Sequence, residues 1–426
     1  MGIRFRNLLG ETSWIALGQL LIALGGLAGI RMLTHVLTPE AYGELGLGMA
    51  IAALVGQIFY WPTSNGATRL YSVAANKKDV AGFFYGINKI LFISGSSVIA
   101  VFFFGYVFIG GEGDTFGFLL LLPLSVYSIS SGCGSVYAGM LNASRRRAEI
   151  AISQSVEIWT RFFLAYFLIK QFGNSSYLAF IGFSIASLTV TIWQNKAISS
   201  SITNGNGIDK ATTSTDWRFE ISHYIRPFFL IGIFTGLSTA SDRWILNSFA
   251  STGEVGLYVV LYQLGYYPIS MVIGILVQLM EPVIYQRIGA INNSSSIDAA
   301  TRLVYIATAI ALVISLFASL IALLVRDLVF STFTPSSYHG AALYLPIVVL
   351  SGGLFAAGNA LAMKIQAYKL SNKLIMPKIG MATVGFISNI VGAYGYGLMG
   401  IVFAGLFTSF VYLLLVFWSS RGLRSE

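Results

Sequence analysis

A chain of 426 residues in which 56% are hydrophobic and only 10% charged, where soluble domains carry about 25% charge, is excluded from the ordinary globular class. Its mean hydropathy of +0.75 is that of a polytopic membrane protein. The net charge of +9 does not point to nucleic acid, because the lysines and arginines lie in short loops between apolar runs instead of forming one basic face.

A window of about 19 residues finds apolar runs at 13–34, 42–62, 86–110, 117–141, 150–170, 176–196, 227–250, 255–283, 302–325, 340–363, 375–394 and 397–418. These predict twelve transmembrane helices in an all-α fold, each run long enough to cross a bilayer. The first run follows Met1-Gly-Ile-Arg-Phe-Arg. It lacks a small-residue cleavage site and is too long for a signal-peptide core, so it is expected to stay as the first span. Gly25, Gly26 and Gly29 in that span, and Gly132 and Gly134 in the fourth, read as close helix packing. Trp61-Pro62 in the second span and Tyr267-Pro268 in the eighth predict kinks, and such breaks can line a cavity. Cys133 is the single cysteine and sits in an apolar run, which excludes a disulfide framework and a cysteine-ligated zinc site. His35, His223 and His339 fall in predicted loops or the linker, outside any membrane proton relay.

Two spans carry charge in their interiors. In the fifth, Glu157 and Arg161 stand four residues apart on one helix face. They read either as an internal ion pair or as a site in which Arg161 offers its guanidinium. In the seventh, Asp242 and Arg243 are adjacent within the run 227–250. An Asp or Arg near a helix centre costs roughly 2.5–3.5 kcal/mol on insertion scales, so it faces a partner, a bundle interior or a wet cavity. One reading is a mutually neutralised pair. The other follows from the turn of about 100° between neighbours on a helix, which directs the two side chains to different partners.

The polar stretch 197–222 has no hydrophobic periodicity and reads as a linker. It divides the chain into two six-helix bundles, 1–196 and 223–426. The bundles resemble each other in sequence. Arg31-Met-Leu-Thr-His-Val-Leu-Thr-Pro-Glu-Ala-Tyr-Gly43 leaves the first span much as Arg243-Trp-Ile-Leu-Asn-Ser-Phe-Ala-Ser-Thr-Gly-Glu-Val-Gly256 leaves the seventh, and Leu141-Asn-Ala-Ser-Arg145 resembles Ile365-Gln-Ala-Tyr-Lys369. With the N-terminus on the cytoplasmic side, only Arg31, Lys170 and Arg326 fall on the outer side and only Arg161 and Arg243 within spans. That asymmetry predicts cytoplasmic termini and a cytoplasmic linker. The basic loops, Lys364 and Lys369 among them, read first as topology determinants and second as contacts for anionic headgroups. Six spans per half make a parallel repeat, an arrangement that places a substrate cavity between halves and works by alternating access. Arg31, Arg161 and Arg243 would make that cavity cationic, suited to a phosphate because guanidinium presents a rigid fork of donors. Asp242 and Glu157 are supporting or ion-coupling candidates.

Asp242-Arg-Trp-Ile-Leu246 followed by Gly256-Leu-Tyr258, the Leu37-Thr-Pro-Glu-Ala-Tyr-Gly43 exit, and Asn389 followed by Tyr396-Gly-Leu-Met-Gly400 resemble the polysaccharide transporters of the O-antigen flippase type. These are relatives of the multidrug and toxin exporters. The resemblance covers essentially the whole chain and departs from the pattern in lacking a proline before Tyr396. It implies a flippase, not an enzyme, that moves an undecaprenyl-pyrophosphate-linked oligosaccharide to the outer leaflet of the bacterial inner membrane. It needs no cofactor beyond a proton or sodium gradient, and a polymerase and chain-length regulator are implied as partners. Three other classes fit less well. A membrane-embedded polymerase or ligase needs larger outer loops than those near 110–116 and 326–339. A cation exporter needs an acidic cavity with aromatic walls. A lipid II flippase has two further spans.

Overall fold

The computed structural model describes residues 2–109, 115–204, 216–289, 294–368 and 370–421. Parts of the expected outer loop near 110–116 and of the linker lie outside these residues, as does Lys369. The elements in order are α1 (Gly2–Thr34), α2 (Pro39–Val55), α3 (Trp61–Asn76), α4 (Val80–Ile109), α5 (Thr115–Ala143), α6 (Arg147–Phe172), α7 (Ser176–Asn204), α8 (Trp217–Phe249), α9 (Thr252–Leu261), α10 (Tyr267–Gly289), α11 (Ser294–Phe333), α12 (Leu345–Ala367) and α13 (Ile375–Ser420). No strand occurs among the described residues. The protein is an all-α, multi-pass membrane protein, and each of the twelve apolar runs falls on a helical segment. Nine helical stretches among the described residues are long and apolar enough to cross a membrane. α6 and α8 fall outside that set because charged residues interrupt their hydrophobic runs. α13 forms one stretch that Gly397, at φ 53°, folds in two. The break thus falls at Gly397, one residue after Tyr396, in a conformation that side chains rarely adopt.

The two proline-marked kinks take a specific form. α2 and α3 are joined by a π turn, Gly56–Tyr60, and α9 and α10 by another, Tyr262–Tyr266. A proline ring crowds the carbonyl four residues back, here those of Ile58 and Leu264, and both carbonyls lie within the widened turns. The two segments also match in sequence, Gln57-Ile-Phe-Tyr-Trp-Pro62 and Gln263-Leu-Gly-Tyr-Tyr-Pro268.

The chain forms two compact units: Met1–Leu37 with Leu47–Ala240, and Thr38–Gly46 with Ser241–Glu426. The boundary therefore falls inside α8 instead of in the linker at 197–222. The reason is packing, since Trp217, Ile221 and Ile225 at the start of α8 are buried in the core of the first unit. The Trp217 indole donates to Asp79 Oδ2 at 2.6 Å, and farther along Gly232 lets α8 lie against the Gln57 carbonyl.

In the first unit, α1 lies along α6 through its glycines. A Cβ on Gly18 would stand 2.8 Å from that of Ala151, one on Gly25 would stand 2.9 Å from Ile158, and Gly29 faces the Phe162 ring. Gly26 faces open space. Gly132 accepts the buried Tyr60 ring, and Gly134 faces the Thr191 hydroxyl. Buried polar groups pair across helices. Thr191 donates to the Ser130 carbonyl, Gln194 to Ser153, and Asn195 to Tyr137, whose hydroxyl donates to Asn88.

In the second unit, the start of α2 crosses the start of α9. A Cβ on Gly43 would overlap the Thr252 carbonyl oxygen, and one on Gly256 would overlap that of Pro39. The two chain segments matched by sequence thus meet backbone to backbone at their shared glycines, and β-carbons would hold them apart. Nearby, the Tyr42 hydroxyl donates to Gln263 Oε1 at 2.7 Å, and Tyr42 meets Tyr338 edge to face. Glu254 Oε2 accepts the Leu398 backbone N–H at 2.7 Å, capping the second arm of α13, while Gly392 and Gly400 let the two arms close on each other.

Candidate functional site

The site in the second unit is built from α8 and from the tyrosines that follow it in α9 and its π turn. Asp242 and Arg243 are 9% and 8% exposed. No close ion pair between their side chains is seen among the described residues. Asp242 Oδ1 accepts the backbone N–H of Arg243 at 2.8 Å, and Oδ2 accepts the Tyr258 hydroxyl at 2.8 Å. The Arg243 guanidinium instead lies over the Tyr262 ring, 5.6 Å from its centroid. Its buried Nε has no hydrogen-bond partner among the described residues. Of the two readings of this pair, the structure realises separate partners.

Tyr262 is the hub of an aromatic cluster. It stacks on Tyr266 with centroids 4.1 Å apart and planes 14° from parallel, and it meets Tyr267 edge to face at 5.2 Å. The π turn explains why one ring touches both neighbours. The i→i+5 hydrogen bond of a π turn widens it, so that residues i+4 and i+5 both fall beside residue i. The series continues through Phe355 to Tyr412, whose hydroxyl donates to Asn359. Tyr262 and Tyr266 carry no charge or motif that marks them in the sequence, although Tyr258, Tyr262 and Tyr266 recur at the four-residue spacing of a helix face.

The first unit holds a second aromatic-bound arginine. Arg161 Nη1 donates to the Tyr127 hydroxyl at 3.0 Å, and its guanidinium carbon lies 5.0 and 5.1 Å from the Phe162 and Phe183 centroids. Its buried Nε also has no partner. The internal pair considered for Glu157 and Arg161 does not form. Ion pairs seen among the described residues include Lys77–Glu220, Arg146–Glu149 and Arg326–Asp327. Sharing a helix face brings Glu157 within range, but the aromatic pocket beside α6 captures the guanidinium. Arg31, also in the first unit, is exposed at the end of α1, so the sequence-matched Arg31 and Arg243 occupy unlike surroundings.

One basic residue departs from its expected setting. Lys364, counted with the cytoplasmic loops, is buried in α12, where its ammonium donates to the Tyr305 hydroxyl at 3.1 Å and to the Ser420 carbonyl at 3.0 Å. Those contacts tie α12 to the end of α13, where the carbonyls of a helix C-terminus favour a cation.

A buried guanidinium beside an aromatic ring, with donor capacity left over, suits an anion such as phosphate better than a cation. The family model described as polysaccharide biosynthesis protein matches residues 8–288. No curated protein matches the chain. Among solved structures, the chain is similar to the lipid II flippase MurJ in an inward closed conformation, with a TM-score of 0.71 at 15% identity over 96% of this chain and 87% of that one. It is similar to an inward-facing multidrug resistance MATE family transporter of the MOP superfamily, with a TM-score of 0.72 at 15% identity over 96% and 97% of the two chains. A mutant of the Vibrio cholerae MATE transporter VcmN gives 0.68 at 17% identity over 99% and 97%. These likenesses establish the fold, and the family match spans well over half of the sequence: the chain belongs to the polysaccharide biosynthesis protein family.

Proposed function

We propose that this protein is a flippase that carries a polyprenyl-pyrophosphate-linked oligosaccharide, the repeat unit of an O-antigen or similar surface polysaccharide, across the bacterial inner membrane by alternating access. The observation that carries this reading is Arg243, a buried guanidinium whose neighbouring carboxylate is engaged elsewhere and whose Nε has no partner. A pyrophosphate offers the acceptor oxygens that such a fork fits, and its charge offsets the cost of burying the cation. Arg161 and Arg31 are proposed as further contacts. A proton or sodium gradient is the proposed energy source, and a polymerase and chain-length regulator would act on the exported unit. The family membership supports a glycan, and the likeness to a lipid II flippase supports a lipid-linked cargo over a free solute. A multidrug-cation reading is disfavoured because Asp242, the carboxylate buried at this site, already accepts two hydrogen bonds.

The test is reconstitution into liposomes with a labelled undecaprenyl-pyrophosphate-linked oligosaccharide. Protein-dependent exposure of the label to an enzyme on the opposite face is expected. Equal rates in empty and protein-containing vesicles, with an organic cation transported instead, would transfer the assignment to the exporter class.

Orientation is tested separately. Reporter fusions at Gly2, Asn206 and Glu426 should all report cytoplasm, as the distribution of basic residues requires. A periplasmic signal at Asn206 alone would break the division into six and six spans.

A further inference from the structure

The chain contains two neighbouring Arg and Asp residues in another helix, and they behave differently from Asp242 and Arg243. At Arg326 and Asp327 in α11 the side chains bend toward each other, with Nε 3.7 Å from Oδ2. Neighbours on a helix point about 100° apart, yet the long arginine side chain reaches the largely exposed carboxylate beside it. At 242–243 both carboxylate oxygens have other donors. Tyr258, from α9, donates its hydroxyl to Asp242 Oδ2 at 2.8 Å, and the Arg243 backbone N–H holds Oδ1 at the same distance. All three side chains are in the second unit, and Tyr258 is buried.

From this we propose that Tyr258 is a positioning residue. Its hydroxyl holds Asp242 away from Arg243 and so keeps the guanidinium open to the anionic head of the substrate. The proposal rests on the reading of Arg243 as a phosphate contact. Buried surroundings weaken the screening of a carboxylate by water, so a released Asp242 would pair with the nearest cation. Arg243 is that cation, and its present neighbour, the Tyr262 ring, is a weaker competitor than a carboxylate. Loss of one hydroxyl that never touches substrate would then block the site from within.

The pair of substitutions Tyr258→Phe and Asp242→Asn separates this role from a merely structural one. The full-length protein is placed in nanodiscs, and binding of undecaprenyl pyrophosphate is measured on the monodisperse fraction. Tyr258→Phe should weaken binding about tenfold or more. Adding Asp242→Asn to Tyr258→Phe should rescue binding, because an amide cannot form the blocking ion pair. If Tyr258→Phe alone yields no monodisperse protein, the comparison moves to the Asp242→Asn background. There Tyr258→Phe should have no further effect on binding, and a further loss overturns the proposal. Wild-type binding by Tyr258→Phe, together with lost binding by Arg243→Ala, would remove Tyr258 from the site and leave the phosphate reading standing. Wild-type binding by Arg243→Ala would remove that reading itself.

Discussion

Replacing Arg243 with alanine should lower transport of a polyprenyl-pyrophosphate-linked glycan by about 10- to 100-fold with protein abundance little changed. A hydrogen bond to a charged group contributes about 1.5–3 kcal/mol, and about 1.4 kcal/mol corresponds to a factor of ten in rate. One or two guanidinium contacts to phosphate therefore account for the range. Abundance should survive because the partners left behind keep their own bonds. Asp242 still accepts the residue 243 backbone N–H and the Tyr258 hydroxyl, and Tyr262 still stacks on Tyr266. Arg243→Lys should retain a part of the activity, since the charge remains while the planar fork is lost. Normal transport by Arg243→Ala at equal abundance would make the residue structural.

The second large effect is on folding. Gly256→Ala should sharply reduce the yield and thermal midpoint of the detergent-solubilised protein, and Gly43→Ala should do the same. A Cβ on Gly256 would overlap the Pro39 carbonyl oxygen and lie 3.1 Å from the Gly43 nitrogen, and a Cβ on Gly43 would overlap the Thr252 carbonyl oxygen. The obstructing atoms are backbone, with no flexible side chain to move aside. Relief requires the starts of α2 and α9 to separate, which also strains the Tyr42 to Gln263 hydrogen bond and the Tyr42 contact with Tyr338. Overpacking a tight contact typically costs 1–3 kcal/mol, and here two helices must give way at once. Gly274→Ala, where an added Cβ has no neighbour within 4 Å, is the control and should leave the midpoint unchanged. A Gly256→Ala protein as stable as that control would show that the crossing tolerates separation.

The readings that survived share a property: each depends on residues close together in the chain. Apolar runs of bilayer length appear as helices because the hydrocarbon core demands that every backbone group be satisfied within its own segment. The predicted runs 375–394 and 397–418 leave Gly395-Tyr396 between them, and the break falls beside it at Gly397, which takes a conformation that a glycine allows. Trp61-Pro62 and Tyr267-Pro268 marked breaks, although their form as π turns was not apparent. The Arg-to-Gly segments after the first and seventh spans were matched as a repeat, and their glycines meet in the second unit.

Readings that depended on which side chains meet were less secure. The four-residue spacing of Glu157 and Arg161 allowed an ion pair, but Phe162, Phe183 and Tyr127 took the arginine, two of them from other helices. Adjacency allowed Asp242 to pair with Arg243, and Tyr258, sixteen residues away, diverted it. Lys364 read as a loop residue because it ends an apolar run, and the end of α13 drew it into the interior. The sequence by itself therefore determined the class, the spans and the paired turns, because hydrophobic length and backbone conformation are properties of contiguous residues. Only the tertiary structure decided which charges are paired and which are left available. That outcome depends on competition among partners brought together by packing, and strengths differing by a few kcal/mol settle it.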